Sequence, residues 1–464
     1  MYNYSLHLFS RTLIFFVSVI IGGSLFAQVS MEVVERIDVE PAWAGNQIFG
    51  YFIHTDEDDQ FVAYYDADKQ NMTVAQRKLN ETSWSFTRLP SNPGRRYSNH
   101  DDITMLLDRN KHLHVTFNMH GNPLVYYRSE KPLDASSLVR VPKMIGRDEE
   151  RCTYFEFQNL PNEKMLATYR SGGSGNGNQV WNQYDPDTQT WSRLHDVPIL
   201  DGQGKMNPYI YGPILGPDGW FHLTWCWRDT GDCRTNHDYS YARSRDLKHW
   251  ETCLGEQLEL PITFENSRGT SVIVDPVPVG GGFMNPNQRV GFDSKGRLVL
   301  SYGKYDQDSF YQVYNARLDA SGWTIRKASD WNYHWDFSGG GGGAVPLEIQ
   351  FGPVEAENGK LVQSFTRQKQ EDGRLVLDEE TLEQIGSVPG ANPWPLEIDQ
   401  VELDIPGIES RTARDLRDKG KTFGQEPSIR YILKWDMLPS NRDKPYEKTP
   451  PPTMLRVYKL RIIP

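Results

Sequence analysis

One phrase recurs along this chain and limits its fold more than any other feature: a turn rich in Asp, Asn and Gly, then an alternating apolar strand. It occurs at 56–64, 108–115, 161–167, 217–223, 293–299 and 357–362. Successive starts lie roughly 50 to 80 residues apart, the interval of propeller blades that carry loops. A second phrase, a polar turn opening into a strand at a Trp, recurs at Trp84, Trp191, Trp250 and Trp323, with weaker copies at 138–141, 375–377 and 455–458. Together they predict about seven four-stranded units of about 62 residues each. The expected fold is all-β, a seven-bladed β-propeller forming a single closed domain over residues 28–464, whose sheets protect their edges by packing radially. The last strand, 454–463, is expected to pair with 31–39 and close the ring. A two-sheet sandwich array is the structural runner-up.

Composition agrees with this. Aromatic residues make up 12% of the chain, and 39 Gly and 29 Pro make it too turn-rich for a helical bundle. With 50 Lys plus Arg against 61 Asp plus Glu, the net charge of −11 argues against a nucleic-acid partner, which needs a clustered basic surface. Residues 1–27 read as a secretory signal peptide: Arg11 supplies the positive flank, 13–21 an apolar run too short to span a bilayer, and Ala27 the small residue at its end. The mature chain is expected to be exported, periplasmic or extracellular, without a membrane span and monomeric.

Polar residues cluster where strands should end. His100 and His120, 20 residues apart, bracket one turn-and-strand pair. Tyr154 is followed sixteen residues later by Arg170. A third cluster gathers Trp225, Cys226, Trp227, Arg228, His237 and Tyr239. Read singly, each has a bland alternative: a hydrogen-bonded structural histidine, a core ring, a surface charge. The four cysteines, Cys152, Cys226, Cys233 and Cys253, allow three disulfide pairings or buried free thiols. A structural zinc on Cys226, Cys233 and His222 or His237 is a further candidate, although the spacing matches no standard CxxC pattern.

The stretches 113–120, 169–177, 216–223, 236–244 and 330–337 together resemble the bacterial-neuraminidase-repeat-like propeller family, and the resemblance covers about residues 45 to 385. That family is similar to seven-bladed ulvan lyases, to enzymes that eliminate rhamnose from glucuronate, and to an ulvan-oligosaccharide dehydratase. The resemblance implies a working set of His, a second His about twenty residues on, a Tyr, and an Arg about sixteen beyond it. These fall on His100, His120, Tyr154 and Arg170. Sialidases share the propeller, but 244–250 lacks the Gly of their Asp-box and places Trp250 one residue early.

The chemistry is consistent with that implication. β-Elimination beside a uronate removes a C5 proton that becomes acidic only when the neighbouring carboxylate is neutralised. Arg170 is the expected neutralising group, a planar fork matched to a carboxylate. His100 or Tyr154 takes the proton, and Tyr154 returns one to the leaving oxygen. A Tyr near its ordinary pKa of about 10 is a poor base at neutral pH. His120, Tyr211, Arg228 and His237 are candidate substrate contacts, and Trp225, Trp227 and Tyr239 candidate walls for stacking on sugar. Elimination requires no cofactor. Two rival functions are a glycoside hydrolase, drawing its two carboxylates from Asp101, Asp102, Asp229 and Asp238, and a non-catalytic glycan-binding propeller.

Overall fold

The computed structural model describes residues 30–463, apart from 49, 92–95, 321, 340–341, 369, 391–393 and 415–427. The candidate signal peptide lies outside the described residues. These are all-β: helix is confined to two four-residue segments, Phe264–Ser267 and Leu396–Asp399, and two short 3-10 turns. No helix among them is long and apolar enough to cross a membrane.

The strands fall into seven sheets. The first combines both ends of the chain: Ser30–Ala42 pairs antiparallel with Thr453–Ile463, which continues into Ile429–Met437 and Glu409–Arg414. The expected pairing of last strand with first is therefore present. Five others begin at Phe52, Thr104, Asn207, Gln288 and Ile349 and are built mainly on strands adjacent in the chain, the one from Thr104 skipping His120–Asn122. The remaining one, the fourth in chain order, combines Cys152–Asn159, Met165–Gly173, Asn176–Asp185 and Thr190–Arg193 with three short added strands, including His120–Asn122.

Burial follows position within each sheet. All seven residues of Asp59–Tyr65 and all eight of Phe221–Arg228 are buried, polar and apolar alike. A middle strand covered on both faces loses the usual in–out alternation. The outer strand Ser85–Pro90, by contrast, is largely exposed. Apolar clusters join neighbouring sheets in chain order: Ile37, Phe61 and Met105 link the first three, Tyr126 and Phe155 the third and fourth, and Trp181 and Trp225 the fourth and fifth. Tyr241 with Leu300, and Val313 with Phe351, extend the series through the sixth and seventh.

This burial overturns one expectation. Trp225, Trp227 and Tyr239 are fully buried core rings, not cleft walls, because their strands lie between packed sheets. The four cysteines are buried free thiols.

Candidate functional site

Two hairpin registers assemble the site. In the third sheet Leu107 pairs with Leu113 and Thr104 with Thr116. Continuing that register past the strand ends brings His100 opposite His120, and the two rings stack with centroids 4.1 Å apart. The twenty-residue spacing is thus the geometry of one hairpin. In the fourth sheet Thr153 pairs with Arg170 on one side and with His120 on the other, which sets three functional side chains along one cross-strand row.

The register then slips between Thr153 and Glu156. At this bulge Tyr154 takes a φ of +54°, a region that is strained for an aromatic residue by about 1–3 kcal/mol. The slip turns Tyr154 toward His100, 5.3 Å between ring centroids, and toward Tyr209, 5.9 Å. Gly177 makes room for the neighbouring arginine: a Cβ there would stand 3.0 Å from Arg170 Cδ and 2.6 Å from Asn207 Oδ1.

Tyr209 is the residue that reading the sequence missed. Arg170 Nη1 donates to its hydroxyl at 3.3 Å and Arg228 Nη1 at 3.0 Å, while Ser174 Oγ lies 2.8 Å away. Arg170 Nη2 also donates to Thr153 Oγ1 at 3.1 Å. Arg228 donates through Nε to Asn236 Oδ1 at 2.6 Å and through Nη2 to Cys233 Sγ at 3.2 Å and to Asn285 Oδ1. Both arginines are buried, and among the described residues neither is paired with a carboxylate.

These charges separate the two phenols. Burial pushes the Tyr154 hydroxyl up and Tyr209 adds to this; Arg170 and Arg228 act against it without cancelling it, so Tyr154 stays protonated. Burial also pushes Tyr209 up, but Arg228 and then Arg170 outweigh it, and Tyr209 lies below its ordinary value.

A cleft of about 490 Å³ opens on this assembly, with His100, Tyr154, Tyr209, Tyr211, Arg228 and Asp102 in its wall. Arg170 sits against the faces of Tyr154 and Tyr209, 5.0 and 5.9 Å from their ring centroids. Asp443 reaches the histidines from the loop before the last strand, at 3.9 Å from His100 Nδ1 and 4.0 Å from His120 Nδ1. Its carboxylate accepts from the Asn99 backbone N–H at 2.9 Å. Nothing in the local sequence marks it, since it lies 343 positions from His100.

Other expected residues are placed elsewhere. His237 is not in the cleft wall: its ring is held between Asp238 at 2.6 Å and Asp229 at 3.1 Å. That engages two of the four candidate carboxylates, and Asp101 is buried in an ion pair with Lys69 at 2.7 Å. Cys226, Cys233 and His222 do not converge as zinc ligands. His222 and Cys226 are four positions apart on one extended strand, about 13 Å at the usual rise. His222 instead bridges Tyr241 Oη at 2.8 Å and Asp218 at 3.2 Å. His237, the other histidine considered for that site, is engaged by its two carboxylates.

Comparison with known proteins places this site in context. A stretch of 62 residues is 37% identical to the long isoform of ulvan lyase from Glaciecola sp. (strain KUL10), and equally to that from Pseudoalteromonas sp. (strain PLSV). The stretch is 13% of this chain and spans only 6% of the length of each of those relatives. Among solved structures, a polysaccharide lyase PL25 ulvan lyase bound to a GlcA(1-4)Rha3S saccharide superposes with a TM-score of 0.57 at 12% identity, covering 92% of this chain and 94% of that one. Polysaccharide lyase Uly1 gives 0.57 at 11% identity over 93% and 99%. These likenesses establish a shared fold. The model of the BNR repeat-containing family matches residues 59–331, more than half of the chain. The chain therefore belongs to the BNR repeat-containing family.

Proposed function

We propose that this protein is an exported lyase that cleaves uronate-containing, ulvan-like or rhamnose-glucuronate glycans by β-elimination, working as a monomer on a seven-bladed propeller closed by its terminal strands. The observation that carries the reading is a pair of buried arginines, without a carboxylate partner among the described residues, meeting at one phenol beside a histidine-lined cleft. Buried charges ordinarily find partners, and an anionic substrate would complete these. The seven sheets support the propeller, as does a bond that joins its ends: Ser440 Oγ, in the first sheet's loop, donates to Ala344 O, ahead of the seventh.

In this mechanism the uronate carboxylate lies against Arg228, with Arg170 reinforcing the positive field from behind the tyrosines. Negative charge growing on that carboxylate as the C5–H bond breaks meets charges already in place, so little reorganisation is needed. His100 accepts the C5 proton. Tyr154, held protonated, gives its own proton to the C4 oxygen as the C4–O bond breaks. His120, stacked on His100 and bonded to Ser98 Oγ at 2.8 Å, orients the base. Tyr211 and Arg228 contact the sugar. No cofactor enters the reaction. The same geometry serves chain cleavage or loss of water from an oligosaccharide, according to what leaves C4.

Hydrolysis is the second reading, favoured by two carboxyl groups in the cleft wall, Asp102 and Glu156. One experiment separates the two. The protein is incubated with ulvan and with rhamnose-glucuronate oligosaccharides, and the ultraviolet absorbance of unsaturated uronate is followed beside reducing ends and product mass. Rising absorbance that is lost in His100→Ala and Tyr154→Phe supports elimination. New reducing ends without absorbance overturn it in favour of hydrolysis, and binding without either product signal leaves a glycan-binding propeller.

A further inference from the structure

We propose that His100, His120 and Asp443 form a binding site for a zinc-class divalent cation at the mouth of the cleft. Each residue offers one ligand atom, and the three atoms lie within 4.8 Å of one another. Two imidazole nitrogens and one carboxylate oxygen are the donor set of zinc and its neighbours, whereas calcium and magnesium prefer all-oxygen shells.

The separations suit such an ion. Metal–ligand bonds of about 2.0–2.2 Å in tetrahedral array place donors about 3.3–3.6 Å apart. Here His100 Nδ1 is 3.9 Å from one oxygen of Asp443 and His120 Nδ1 4.0 Å from the other, and one donor atom from each residue lies within 4.8 Å of the other two, so the side chains would draw together by up to about an ångström around an ion. Three protein ligands leave a fourth position, and one of the three, His100, lies in the cleft wall.

The outer contacts are those of a built site. The Asn99 backbone N–H fixes one oxygen of Asp443, and the His100 backbone N–H donates to Ser98 Oγ at 3.2 Å; an ion on His120 Nδ1 would replace that nitrogen's present contact with Ser98 Oγ at 2.8 Å. Groups of this kind orient ligands and tune their affinity. Asp443 is itself held at a φ of +59°, with its side chain only 6% exposed.

A consequence follows that rests on the elimination reading: an ion on His100 takes the lone pair that would accept the C5 proton, so zinc and substrate turnover exclude one another. The test of binding uses no substrate. The purified full chain, dialysed against a chelator, is titrated with cobalt(II) chloride alone while its visible d–d absorption is followed, and zinc is then added. We expect saturation at a single equivalent, displacement by zinc, and binding weakened tenfold or more in Asp443→Asn and in His120→Gln. Cys226→Ser is expected to bind as the unmodified protein does.

An absent or unsaturable band, an unchanged band in both ligand variants, or a band lost in Cys226→Ser would each overturn the site. His120→Gln decides should Asp443→Asn lack a cooperative unfolding transition. Loss of turnover by zinc is measured separately, so a protein that binds cobalt without eliminating sinks the lyase reading alone, and the reverse result sinks this one alone.

Discussion

Tyr154 departs twice from what an aromatic residue ordinarily does, in its left-handed backbone and in a hydroxyl that burial holds protonated. Both follow from the slipped register beside Thr153, and both suit a proton donor at a leaving oxygen. Tyr154→Phe keeps the ring and the backbone and removes only the proton, so turnover should fall by about 10²–10⁴-fold with the unfolding transition unmoved. Initial rates and a thermal melt on the same preparation check this, and a rate within a few-fold of the unmodified protein would remove Tyr154 from the chemistry. Arg170 offers an independent probe through its neighbour. Gly177→Ala places a methyl 2.6 Å from Asn207 Oδ1, 2.8 Å from Gly173 O and 3.0 Å from Arg170 Cδ, so the hairpin that carries Arg170 must give although the arginine has not been replaced. The expected result is a loss of kcat beyond that of an alanine introduced at Gly386, which has free space around it and no left-handed backbone.

At the scale of the element, a polar device recurs beneath the repeated turns. In the third sheet His114 joins Asp108 at 3.2 Å to Tyr126 Oη at 2.7 Å, and in the fifth His222 joins Asp218 to Tyr241 in the same way. Each ties a turn to two strands, with the histidine and the tyrosine buried and Asp108 buried but Asp218 about one-third exposed. Removing one partner leaves another unsatisfied. Tyr241→Phe should therefore cost about 1–3 kcal/mol in urea unfolding, with metal binding unchanged, which also checks that His222 is structural. His237 makes a different element-level contribution. Burial lowers its basicity, but Asp238 and then Asp229 outweigh burial and hold it above its ordinary value. Because the folded value is raised, its contribution to stability is complete below the unfolded value of about 6.5 and is lost as pH climbs through the folded one. Urea midpoints measured across that interval should fall with rising pH, and His237→Gln should flatten that component. An identical slope in the variant would show that other groups carry it.

For the whole molecule, stability rests on neighbouring sheets sharing cores and on the first sheet uniting the two ends of the chain. Leu455 and Val457 of the last strand are fully buried beside Ile37 of the first. Leu455→Ala removes core volume at the junction and should destabilise by about 2–5 kcal/mol. If the terminal strands close the structure, a chain ending before residue 453 should lose its single cooperative melt, which calorimetry would detect. An unaltered melting transition would mean that the other six sheets stand without the first. The same junction delivers Asp443 to the histidines, so the truncated chain should also lose cobalt binding.

Much of this protein was legible in its sequence because local physics writes local patterns. Turn phrases and alternating strands specify sheets of antiparallel neighbours, and a hairpin converts a spacing of twenty or sixteen residues into a contact. His100 with His120 could be read for that reason, whereas Tyr154 with Arg170 came from the family resemblance and not from their spacing alone. What the sequence could not express were contacts made across sheets. Tyr209 receives its two arginines from different sheets, Arg170 from the fourth and Arg228 from its own. Asp443 arrives from the far end of the chain, and Trp225 and Trp227 disappear into the core because their strand is covered on both faces. The sequence by itself determined which residues lie along each strand and what each turn brings opposite; the tertiary structure decided which faces are covered, which phenol shares two guanidinium groups, and which distant carboxylate completes the histidine pair.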